Sequence, residues 1–127
     1  MGALLDFLLE DSVEDLREKV VISHRLREHP FEIKAVTAGE MADYIKRCRR
    51  GREVDSAGFD LLLILNHCLE PDFRSAEALE KARCATPEEL VNKTLRAGEI
   101  KALARAIYRL SGYEQGMAEM RDEVKNS

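Results

Sequence analysis

The sequence predicts an α+β fold, with an N-terminal β-hairpin followed by a mainly helical domain of about four to five helices. Three patterns predict it. Residues 31–36, Phe-Glu-Ile-Lys-Ala-Val, alternate apolar and polar side chains as a half-buried strand does. Two Thr-x-x-Glu sequences, Thr37 with Glu40 and Thr86 with Glu89, have the form of capping boxes that start helices. Ile100, Leu103, Ile107 and Leu110 step by three and four, the spacing that keeps apolar residues on one side of a helix.

Taken in order, Leu4, Leu5, Leu8 and Leu9 can share one side of a short helix before the acidic segment at 11–15, a helix expected to dock on the core in preference to a partner. Lys19–Ser23 and Phe31–Val36 read as the two strands of the hairpin, joined across Arg27–Pro30. Thr37 then starts a helix whose apolar face is Met41, Tyr44, Ile45 and Cys48. Gly51–Gly58, polar between its glycines, reads as a surface loop. The apolar run from Phe59 to Leu69 is the most buried segment expected, a central helix in preference to a strand, and Pro71 ends it. Ser75 begins a short helix through Ala82. Pro87 suits the first position of the helix capped by Thr86, and Gly112 is a natural stop for the 100–110 stripe. All 127 residues are expected to form a single domain, with ends that fray at 1–12 and 116–127.

A net charge of −4 and a pI near 5.5 argue against broad attraction to nucleic acid or anionic membrane. The three cysteines, Cys48, Cys68 and Cys84, have neither the even count of a disulfide framework nor a zinc-site spacing, which fits a reducing cytoplasm. The N-terminal leucines meet Asp6, Glu10 and Asp11 where a secretory signal would stay apolar, so neither leader nor membrane anchor is expected there. Met1-Gly2 has Asp6 where an acylation motif needs serine or threonine.

No catalytic, cofactor-binding or metal site is expected, and the chain does not read as an enzyme. His67 and Cys68 are adjacent in sequence, but no helix-start nucleophile or glycine-built oxyanion loop accompanies them. His24, His29 and His67 are dispersed, and no phosphate-binding glycine loop occurs. The basic cluster Lys46, Arg47, Arg49, Arg50 and Arg52 could grip phosphates or steer acidic partners. A solvated helix end is the favoured reading, because positive charge suits the negative pole of the helix dipole and no aromatic residues interleave to stack bases.

Several segments together resemble the XkdN-like family of phage tail assembly chaperones, of the PBSX type found in defective prophages of Bacillus-like bacteria. The carriers are LLDFLLEDS at 4–12, KVVISHRL at 19–26, FEIKAVTAGE at 31–40, NHCLEPDFRSAE at 66–77 and CATPEELVNKTLRAGEI at 84–100. The resemblance implies a noncatalytic protein of the bacterial host cytoplasm. It also implies that the chain associates with the helical tape-measure protein and helps recruit tail-tube subunits, with self-association a further partner left open. A tape-measure protein is a long, apolar-striped helix that a chaperone could shield. The surfaces expected to do so are Ile100, Leu103, Ile107 and Leu110, unless that stripe is core, and then Leu4, Phe7 and Leu8. The rival readings are a structural component of the tail and a small nucleic-acid-binding regulator acting through residues 46–52.

Overall fold

The computed structural model describes residues 2–113. The elements in chain order are α1 (Ala3–Glu10), β1 (Arg17–Val20), β2 (Phe31–Lys34), α2 (Ala38–Cys48), β3 (Arg49–Arg50) and β4 (Glu53–Val54). They continue with α3 (Ser56–His67), β5 (Cys68–Glu70), α4 (Ala76–Ala82), α5 (Pro87–Thr94) and α6 (Ala97–Leu110). The expected N-terminal hairpin is therefore corrected. The described chain opens with a helix, and six α-helices rather than four to five surround a small sheet. The leucine spacing at 4, 5, 8 and 9 is helical, and helix α1 displaces the strands from the N-terminus. The segment 114–127, including the end expected to fray, lies outside the described residues.

The main sheet has the order β1-β2-β5, antiparallel throughout. Arg17 lies opposite Lys34 and Val20 opposite Phe31, so β1 is shifted toward the N-terminus from the expected 19–23. Phe31 and Ile33 are buried while Glu32 and Lys34 are half-buried, the alternation of a strand with one face on the core. The third strand comes from the C-terminal end of the apolar run. Residues 56–67 form α3, Cys68–Glu70 turn extended, and Ile33 pairs with Cys68. One apolar run thus supplies both a central helix and a sheet strand.

Helix α2 has a complete capping box: Thr37 Oγ1 accepts from the Glu40 N–H, and Glu40 Oε1 accepts from the Thr37 N–H. In α5 Thr86 Oγ1 accepts from the Glu89 N–H, whereas the Glu89 carboxylate reaches one residue further back, to the Ala85 N–H at 2.7 Å. Helix α6 ends at Leu110, followed by Gly112 at φ +96°, a conformation that costs glycine little.

The core is built from Ile33, Leu63, Ile64, Val91, Leu103 and Ile107, each essentially out of water. Helix α6 lies on α3 and also meets β1 and β2, so it closes the core over the sheet. A polar tie holds its start. Glu99 is 3% exposed, and its carboxylate accepts from Arg25 Nε and Nη2, Ser23 Oγ and the Arg96 N–H at 2.6–2.8 Å. Ser23 and Arg25 sit in the β1–β2 connection, so this single carboxylate joins the hairpin to α6.

Candidate partner-binding surface

The seven apolar candidates fall into two groups. Leu103 and Ile107 are fully buried, and Ile100 and Leu110 are half-buried against the core. Leu4, Phe7 and Leu8 are 72%, 58% and 57% exposed, and α1 contains no buried residue. The α6 stripe is committed inside the molecule, while the α1 stripe meets water.

Leu5 and Leu9 are exposed beside them. At 100° per residue, the five large apolar side chains of α1 sweep more than half of its circumference, and Asp6 and Glu10 share the remainder. Val13, Leu16 and Val21 extend the exposed apolar surface along the chain. Those three carry no sequence signal of their own, because single apolar residues in irregular segments are ordinary.

The basic cluster is placed differently from its expected helix end. Only Lys46 and Arg47 belong to α2. Arg49 and Arg50 form β3, Gly51 turns at φ +67°, Arg52 lies in the turn, and β4 returns antiparallel. The dipole argument therefore covers two of the five cations. The others fan around a tight hairpin, where Arg50 Nη1 donates to the Arg47 and Arg49 carbonyls and Arg47 pairs with Asp43 at 3.4 Å. The expected surface loop at 51–58 contains this return strand and the first turn of α3.

The titratable groups of the interior have structural partners. His67 is fully buried; its Nε2 shares a 2.9 Å hydrogen bond with Tyr44 Oη, and Nδ1 has no hydrogen-bond partner among the described residues. Burial pushes the His67 pKa down, Lys34 adds to that, and the Glu40 carboxylate and the Ala35 backbone oppose it. Burial pushes the Cys68 thiol up to about 12, so little thiolate, the nucleophilic form, exists at neutral pH. His67 and Cys68 project from the end of α3 and the start of β5, and the imidazole is engaged with Tyr44, not with the thiol.

A groove of about 760 Å³ lies between the end of β1, the start of α3 and the outer face of α6. Its floor on α6 includes Gly98, Ala102 and Ala106, spaced by four, and its walls include Val21, Ile22 and Phe59. Lys101, Arg105 and Arg109, also spaced by four, add a basic edge, with Lys101 Nζ bonded to Asp60 at 2.7 Å. Small residues at this spacing give no signal in the sequence, since they interrupt no apolar pattern. Among the described residues no helix is long and apolar enough to cross a membrane.

An apolar helix thus stands exposed on a tied α+β body. The phage-like element PBSX protein XkdN of Bacillus subtilis (strain 168) is 26% identical to this chain over 136 residues, covering 94% of this chain and 91% of that protein. The crystal structure of the protein yqbn has a similar fold, with a TM-score of 0.69 and 22% identity, over 90% of this chain and 99% of that one. The sequence pattern of the phage XkdN-like tail assembly chaperone proteins matches residues 4–125, nearly the whole length. This chain belongs to the phage XkdN-like tail assembly chaperone family.

Proposed function

We propose that the chain is a single-domain, noncatalytic chaperone that acts in the bacterial host cytoplasm, binds the helical tape-measure protein and assists tail-tube assembly. The observation that carries this reading is α1, whose leucines and Phe7 stand in water with none of them buried. A helix with so wide an apolar arc gains from a partner that covers it, roughly 1.5–3 kcal/mol for each Leu or Phe side chain taken fully out of water. A long helix with an apolar stripe has the matching chemistry, since two such stripes pack side by side and exclude water from both. The acidic residues beside the arc keep the free chaperone from coalescing through it. Leu4, Phe7 and Leu8 are the contact residues of this reading, and the α6 stripe serves to hold the body together. The cations at 46–52 steer acidic segments of the assembly without contributing much affinity.

Co-expression with the tape-measure protein from the same gene cluster tests this. The expected result is a soluble complex recovered by pull-down, lost when Leu4 and Leu8 are both replaced by Glu. A tape-measure protein that is equally soluble without this chain, and that yields no complex with it, rejects the reading.

A further inference from the structure

The groove along α6 is positively charged on a chain whose net charge is −4. The described residues that line it include three cations, Lys101, Arg105 and Arg109, and one carboxylate, Asp60, which Lys101 holds at 2.7 Å. The cations recur at every fourth residue and so form a row of about 12 Å along the helix. Beside them lies the floor of Gly98, Ala102 and Ala106, and a Cβ built on Gly98 meets nothing within 4 Å. Val21, Ile22 and Phe59 supply apolar walls. Glu99 fixes the start of α6 to Ser23 and Arg25, so the shape is set before any partner arrives.

We infer that the groove is a second docking surface, and that it receives an amphipathic helix of a partner protein whose polar edge is acidic. Gly98, Ala102 and Ala106 present no long side chains, so a helical backbone can lie close against α6 there. An extended segment on the same floor would turn its own N–H and C=O groups toward alanine methyls, whereas a helix satisfies its backbone internally. Carboxylates at every fourth position of the incoming helix repeat with the same rise as the row of cations. One edge of that helix then meets Lys101, Arg105 and Arg109 in register, while apolar side chains on the adjoining face reach Val21, Ile22 and Phe59. The charges at the edge speed the encounter and select its orientation, and the apolar walls prolong it. Helix α1, apolar with acids beside it and no basic residue, has the opposite sign, so the two surfaces select different partners. The inference uses no residue of α1 and does not rest on the tape-measure reading.

Titration of the full isotope-labelled chain with a synthetic helix of about fifteen residues tests it, read by amide chemical shifts. The probe carries leucines at helical spacing and a glutamate at every fourth position beside them; the control carries lysine in place of each glutamate. The glutamate peptide is expected to bind, to shift the amides of Gly98, Ala102 and Ala106 while leaving those of α1 in place, and to bind several-fold more weakly at high salt. The lysine control should bind at least tenfold more weakly. Gly98→Glu puts an acid on the open floor, in the first turn of α6 where a carboxylate suits the helix dipole, and should weaken binding at least tenfold at an unchanged melting temperature. Arg109→Glu, on an exposed residue, should weaken it several-fold, and Leu8→Glu, which defeats the tape-measure reading, should bind the peptide as the wild type does. A glutamate peptide that fails to bind overturns the inference. So do equal affinities for the two peptides, shifts confined to α1, and a folded Gly98→Glu variant that binds undiminished.

Discussion

Helices α1 and α6 begin from the same kind of sequence pattern and end in opposite environments. Both carry leucines and other apolar residues at spacings of three and four, and both carry charge on the remaining face. Helix α6 has 14 residues, lies on α3 and the sheet, and hides Leu103 and Ile107 completely. Helix α1 has eight residues and hides none. Periodicity specifies that a face will be covered without specifying what covers it. Length separates the two in part, because an isolated eight-residue helix is marginal in water and α6 draws its stability from packing. The polar tie separates them further. Glu99 fixes the start of α6 to Ser23 and Arg25, whereas Gly2 at the start of α1 offers no side chain to cap it.

The largest effect that tests this contrast is on the buried stripe. Leu103→Ala should cost about 2–5 kcal/mol of stability, through lost burial and the cavity left behind. Chemical denaturation would measure it, with Leu8→Ala as the paired control expected to stay within about 0.5 kcal/mol. Comparable losses from the two substitutions would mean that α1 is packed against the body in solution.

The tie at Glu99 comes next. Hydrogen bonds from Arg25, then Ser23 and the Arg96 backbone, hold this carboxyl down to about 2, against an ordinary value of 4.5. A carboxyl whose folded pKa lies below its unfolded one stabilises the fold fully above about 4.5, and that contribution disappears as pH falls toward about 2. Melting temperature should therefore drop between pH 5 and pH 2. Glu99→Gln should lower it already at pH 7 and flatten that acid slope, because the substitution removes the charge that Arg25 faces. An unchanged slope would show that other carboxylates govern the acid limb.

Much of this contrast is readable from residues, and the unreadable part has physical causes. Thr37 with Glu40, Thr86 with Glu89, and Ser75 announce helix starts because each satisfies backbone N–H groups locally, within four residues. The hidden parts are those decided at long range. Residues 68–70 belong to the sheet because they meet Ile33, and no local pattern separates them from the apolar helix before them. The placing of Arg49 and Arg50 on a hairpin depends on Gly51 and the return of Glu53–Val54, three residues with little apolar signal. Glu99 gives no local sign that it will be buried, since its side-chain partners, Arg25 and Ser23, lie 74 and 76 positions away. The surface of α1 was legible as an apolar face; the groove was not, because it is made of what α6 omits as much as of what it carries.

The smallest effect concerns the missing cap. Gly2 stands at the N-cap of α1 with extended backbone, φ −76° and ψ 156°, and makes no side-chain cap hydrogen bond. A Cβ built there meets nothing within 4 Å, so a longer residue is accommodated without strain. Gly2→Asp would place a carboxylate where it can accept from the N–H groups of the first turn and face the positive pole of the helix. Replacing glycine by a better cap is worth only a few tenths of a kcal/mol, and global stability should hardly move. Amide exchange within α1 should slow several-fold, because that exchange reports local opening of an element that buries no residue. If partners recognise α1 as a helix, a helix ordered beforehand loses less conformational freedom on docking, and the variant should bind the tape-measure protein more tightly by a similar small margin. Slower exchange with weaker binding would show that partners take this segment in another conformation, and that the helix is the form α1 adopts only while it waits.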